Sequence, residues 1–163
     1  MKSNKNILVG FTVLILLFSC KNTEKSLISN ADFIVFEFHD ASVPPDDHRS
    51  YIISITPTTL YYVVDSYGEV IKKDSLEIGK QKWEQCKNAF ESAGIRNVIE
   101  KESIEGCTGG TGNSIKIFNG HDFLFLGYQY RCGDFNEGDM EGDINQFLQA
   151  IKEGIDYTFF STN

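Results

Sequence analysis

Apolar residues along most of this chain recur at every second position. Ile34, Phe36 and Phe38 share one side of the run Asp32 to His39, which predicts a strand. Tyr51, Ile53 and Ile55 alternate in the same way, Thr56-Pro57-Thr58-Thr59 turns the chain, and Leu60, Tyr62 and Val64 continue the period, as an antiparallel hairpin does. Ser66-Tyr67-Gly68-Glu69 supplies a further turn, followed by a weaker strand from Val70 to Lys73. Ser114 to Phe118 and Phe123 to Tyr130 are β-rich runs joined by Asn119-Gly120-His121-Asp122, and Asn-Gly between such runs is a strong hairpin signal. Ile95 to Glu105 is charged, with a short strand around Val98-Ile99.

Two segments change period to three and four. Trp83, Cys86, Phe90 and Ala93 fall on one stripe of a helix over Lys80 to Ala93, and Gly94 suits the left-handed position just past its end. Met140, Ile144, Phe147, Leu148, Ile151 and Ile155 form the stripe of a last helix, with Asp139 placed to cap it or to lie in its first turn. The expected order is three or four strands, a helix, two or three strands and a helix. Hairpins imply antiparallel pairing, and two amphipathic helices must bury their stripes. The fold class is therefore α+β, a two-layer sandwich in which both helices pack on one face of an antiparallel sheet of hairpins.

The first twenty residues follow a different logic. Lys2 and Lys5 precede an uncharged apolar run from Ile7 to Phe18, small Ser19 follows, and then Cys20. A basic head, a short apolar stretch and a small residue before the cut is the layout of a secretory signal, and the run is too short to span a bilayer. Leu17-Phe18-Ser19-Cys20 resembles the lipobox of bacterial lipoproteins, in which the cysteine thiol takes a diacylglycerol and becomes the first residue of the mature chain. The resemblance covers residues 1–20. It implies a signal peptide over 1–19 and lipidation of Cys20; Lys21 to Asn30 is polar with little periodicity, so 20–30 reads as a lipidated flexible tether, and the remaining length suits a single α+β domain over 31–163. It also implies a cell-envelope location on a bacterial membrane, with the periplasmic face of the outer membrane favoured.

Charge and cysteines narrow the partners. The formal net charge is −8, and it becomes −10 once the two signal lysines are gone. An acidic body without a basic cluster has no attraction for nucleic-acid phosphates, so no nucleic-acid partner is expected. Anionic headgroups repel it as well, so the membrane is expected to be held through the lipid. Export allows disulfides. Cys107 and Cys132 bracket the predicted hairpin and are expected to pair, leaving Cys86 buried and reduced. A bridge from Cys86 to either of the others stays open.

Several constellations invite chemistry. His39, Asp40, Asp46, Asp47 and His48 are the densest group of metal-ligand types, and an open zinc site there would permit hydrolysis. Their spacing fits no metal motif, and a solvated acidic loop with Arg49 paired to an aspartate is the favoured reading of them. Gly109 and Gly110, within Cys107 to Ser114, could present backbone N–H groups to an anion, or bend the chain tightly. Asp134, Asn136, Asp139, Glu141 and Asp143 offer oxygens for calcium, yet the calcium loop's glycine and glutamate are missing at their positions. No Gly-x-Ser-x-Gly elbow is present. Tyr61, Tyr67, Tyr128 and Tyr130 suit an interaction surface if exposed. The expected function is a membrane-anchored, non-enzymatic binding or interaction domain without a cofactor, facing an envelope protein or small ligand. The alternative is a metal-dependent envelope hydrolase using His39 to His48.

Overall fold

The structure, a computed structural model, describes residues 26–101, 109–155 and 160. The signal peptide and Cys20 lie outside the described residues, as does Cys107. Eight strands and two helices follow in the order β1 (Phe33–His39), β2 (Ser50–Ile55), β3 (Thr59–Ser66), β4 (Glu69–Glu77), α1 (Lys80–Ser92), β5 (Arg96–Lys101), β6 (Thr111–Asn119), β7 (Asp122–Cys132), β8 (Phe135–Glu141) and α2 (Ile144–Lys152). The strands form one sheet in the order β4-β3-β2-β1-β6-β7-β8-β5, and every pair is antiparallel. The fold is α+β. No helix among the described residues is long and apolar enough to cross a membrane.

Register explains the alternation. Ile34 lies opposite Ile55 and Ile117, Phe36 opposite Ile53 and Ile115, and Ile117 opposite Phe125. Because side chains alternate faces, these residues share one side of the sheet, and all of them are buried. The helices contribute Trp83, Cys86, Phe90, Ile144, Phe147 and Ile151 to the same cluster. The Phe147 ring lies 6.4 Å from Phe36 and 5.6 Å from Phe90, whose own ring is 5.0 Å from Phe125. Each such side chain contributes about 1.5–3 kcal/mol by leaving water. Cys86 is free and fully buried, and burial pushes its thiol up to about 11. It packs as a small hydrophobe.

Helix α1 ends at Ala93 and Gly94, as its spacing predicts. Helix α2 begins four residues later than its stripe suggests. Asp143, not Asp139, is its N-cap, and its carboxylate accepts from the Gln146 N–H at 2.9 Å. Met140 belongs to β8, a strand the acidic run Asp134 to Asp143 conceals. Only Gly138 and Met140 of β8 are buried, and backbone pairing to β7 and β5 holds the rest. Gly138 has φ +111, and a Cβ there would stand 2.2 Å from the Tyr128 carbonyl oxygen, so this strand passes its neighbour only because the residue is glycine. Strand β4 also runs further than expected, to Glu77.

The segment before β1 is also packed. Ile28 is fully buried, the Ser29 N–H donates to Ser26 O at 3.1 Å and the Ala31 N–H to Ile28 O at 3.0 Å. Ile28 therefore packs with the core ahead of β1. A lone isoleucine in a polar segment gives no periodic signal.

Candidate functional site

The face that carries the buried apolar residues of β1, β2, β6 and β7 changes character towards one end of the strands. On β6 the positions in step with Ile115 and Ile117 become Asn113 and Thr111, and on β7 those in step with Phe125 and Gly127 become Gln129 and Arg131. Asn113 lies opposite both Phe38 and Gln129, and Thr111 opposite Arg131. Helix α2 starts here, with Asp143 and Asn145, and the rim of β8 adds Asn136 and Glu137. Together these residues enclose a groove of about 550 Å³, with Phe38 and Tyr51 on its apolar side.

Four carboxamides, from Asn113, Gln129, Asn136 and Asn145, line this groove. Each can donate and accept. Arg131 and Glu137 add one charge of each sign. Two other acids are committed locally: Asp143 caps α2, and Glu141 pairs with Arg96. Tyr51 is fixed from behind. Lys152 Nζ donates to its hydroxyl at 3.1 Å and sits 4.4 Å over both the Tyr51 and Phe160 rings. Burial lowers the Lys152 ammonium to about 8 and, with the charge of Asp40, pushes the Tyr51 hydroxyl above its ordinary value.

The histidine loop is built for structure. His48 is buried, with its Nδ1 accepting from the Tyr67 N–H at 3.3 Å, its Nε2 3.3 Å from Ser50 Oγ, and its ring stacked 4.0 Å from Tyr67. Asp40 accepts from the Ala41 and Arg49 N–H groups, each at 2.8 Å. The Arg49 guanidinium donates to His48 O at 2.6 Å, so it grips a carbonyl, where an aspartate partner was expected. His39 is exposed, 3.9 Å from Glu37. Among the described residues no three His, Cys, Asp or Glu side chains converge to hold a metal ion.

The other candidates separate as well. Gly110 donates its N–H to the Tyr130 hydroxyl at 2.9 Å, and a Cβ on it would meet Arg131 O at 2.4 Å, so this glycine serves a close backbone approach beside β7. Gly109 precedes it with φ +93. Tyr61, Tyr67 and Tyr128 are exposed, while Tyr130 is half-buried. Asp134 sits in the β7–β8 turn, Asn136 faces the groove, and Asp139 accepts from the Tyr128 N–H at 2.7 Å. On the sheet's other side Glu37 accepts from Ser114 at 2.8 Å and Lys116 at 2.7 Å. Burial raises its carboxyl, but these bonds and the Lys116 charge outweigh burial and hold it below its usual value.

Thr111, Asn113, Gln129 and Arg131 are the residues that sequence reasoning missed. Their signal is a polar residue at a position whose parity calls for an apolar one. Comparison of the chain with protein-family models, curated proteins and solved structures found no match in any of the three.

Proposed function

We propose that this chain is a bacterial cell-envelope lipoprotein, acylated at Cys20 and held on the periplasmic face of the outer membrane, that binds a small polar ligand without transforming it. In this reading the body is a two-layer sandwich with both helices on one face of the sheet. The reading draws support from the lipobox-like residues Leu17 to Cys20, from the ring contacts of Phe90 and Phe147 with sheet residues, and from the groove. One observation carries it: the inward face of β6 and β7 turns from Ile115, Ile117 and Phe125 to Thr111, Asn113, Gln129 and Arg131 at the place where a 550 Å³ groove opens.

Carboxamides that donate and accept, beside the Arg131 guanidinium and the carboxylates of Glu137 and Asp143, match a ligand rich in amides and hydroxyls that carries no net negative charge. In an envelope such chemistry belongs to N-acetylated sugars and short peptides. Exposed Tyr61, Tyr67 and Tyr128 offer a separate surface for an envelope protein. The Cys107–Cys132 bridge is part of the proposal, and Cys132 is buried at the end of β7.

Titration of the isotope-labelled protein with soluble fragments from digested peptidoglycan tests the reading by NMR. Shifts concentrated in the side-chain amides of Asn113, Gln129 and Asn136 are expected. No shift at millimolar fragment, or shifts scattered away from the groove, overturns it.

A further inference from the structure

We infer that the end of the sheet opposite the groove rests on the bilayer and inserts Phe123 into the headgroup layer. This rests on acylation of Cys20. Ile28, which is fully buried, stands eight positions after Cys20, and a chain of eight steps reaches about 28 Å at most. The body therefore cannot leave the membrane, and the surface beside its first residues is the one held closest.

That surface is the β6–β7 turn. Just after Ile28, the Asp32 N–H donates to Phe118 O at 2.9 Å, and Asp32 Oδ2 accepts from the Gly120 N–H at 2.8 Å. Phe33 lies opposite Phe118, their rings 5.6 Å apart, and the Phe118 ring is 4.6 Å from Phe123. Phe123 is 58% exposed and Leu27, on the entering segment, 61%. A large ring standing in water, backed by two more rings and tied to the chain that leads to the lipid, is suited to the membrane interface, where aromatic side chains are favoured. Asp122 at the same turn favours zwitterionic over anionic headgroups. Phe123 and Arg131 are eight positions apart on β7, about 27 Å, so this seating turns the groove away from the membrane.

Quenching by brominated acyl chains tests the seating. Trp83, the chain's one tryptophan, is 3% exposed and gives a background that lipid should not reach. The full-length acylated protein carrying Phe123→Trp is placed in phosphatidylcholine vesicles beside the wild type and Phe135→Trp, the latter at an equally exposed position of the groove end (52%). The expected result is at least twofold stronger quenching for Phe123→Trp than for either comparator. Quenching equal to wild type, or equal in both variants, overturns the inference. Mass spectrometry of the N-terminal peptide reports acylation separately. Acylated protein without extra quenching removes the seating and leaves the anchor. Unacylated protein whose Phe123→Trp is still quenched by added vesicles removes the anchor and supports the seating.

Discussion

Strands β6 and β7 carry two surfaces on one face. Ile115, Ile117 and Phe125 lie in the closed core, whereas Thr111, Asn113, Gln129 and Arg131, on the same side of the same strands, line a groove. Backbone pairing is continuous across the boundary, so strand geometry does not make the difference. What differs is what packs against that face. Where the Phe147 and Phe90 rings lie against Phe36 and Phe125, an unpaired polar group would cost roughly 1–3 kcal/mol, and among the described residues no buried side-chain N or O lacks a partner. Where those contacts end, water or a ligand can satisfy amides, and amides appear. A site in such a fold is found by asking where polarity first enters the inward parity.

Breaking the closed half should have the largest effect. Phe147 is fully buried between Phe36 and Phe90. Phe147→Ala is expected to cost about 3–5 kcal/mol, measured by urea unfolding. A cost under about 1 kcal/mol would mean that the two halves are not as different as described. The open half should depend instead on a staple. A Cys107–Cys132 bridge closes a loop of some 25 residues, so its loss through reductant or Cys132→Ser should cost about 3 kcal/mol. Peptide mapping without reductant should find the two cysteines linked, and two free thiols would refute the bridge.

Extending the apolar surface into the groove sharpens the contrast. The double variant Asn113→Val, Gln129→Leu replaces two facing carboxamides by residues of the core type. It should weaken binding of peptidoglycan fragments at least tenfold, about 1.4 kcal/mol, while stability stays within about 1 kcal/mol of wild type. A large loss of stability would show the carboxamides to be structural.

The same contrast explains what the sequence disclosed. Strands β1, β2, β3, β6 and β7 were legible because large apolar residues occupy their inward positions, and α1 because Trp83, Cys86 and Phe90 keep helical spacing. Strand β8 was not, because its place is held by backbone bonds to two neighbours while most of its side chains are polar. The groove was half-visible: Asn113 and Gln129 interrupt the alternation, but that they face each other is a matter of register between separate runs. Ile28 and the spatial dispersal of His39 and His48 depend on long-range packing, which no local period encodes.

The smallest expected effect lies at the boundary itself, where Lys152 of α2 holds the back of Tyr51. Burial keeps its ammonium near 8, against roughly 10.4 for an exposed lysine. Between those values the unfolded chain binds the proton and the folded one does not, so stability should rise as pH increases through this window. Below pH 8 both states are charged and the desolvation penalty is fully present. Tyr51 acts in the opposite sense, because its raised hydroxyl pKa lets only the unfolded chain ionise above about pH 10, which lowers stability there. Cys86, whose thiol burial raises to about 11, acts in the same sense as Tyr51 from about pH 8.5 upward, so the interval read is pH 8 to 9.5, against a variant that keeps both groups. Urea midpoints of the wild type should climb across it relative to Lys152→Met, which keeps the stem and lacks the charge. Parallel curves would place the ammonium in water, against the contacts of Lys152 with Tyr51 and Phe160.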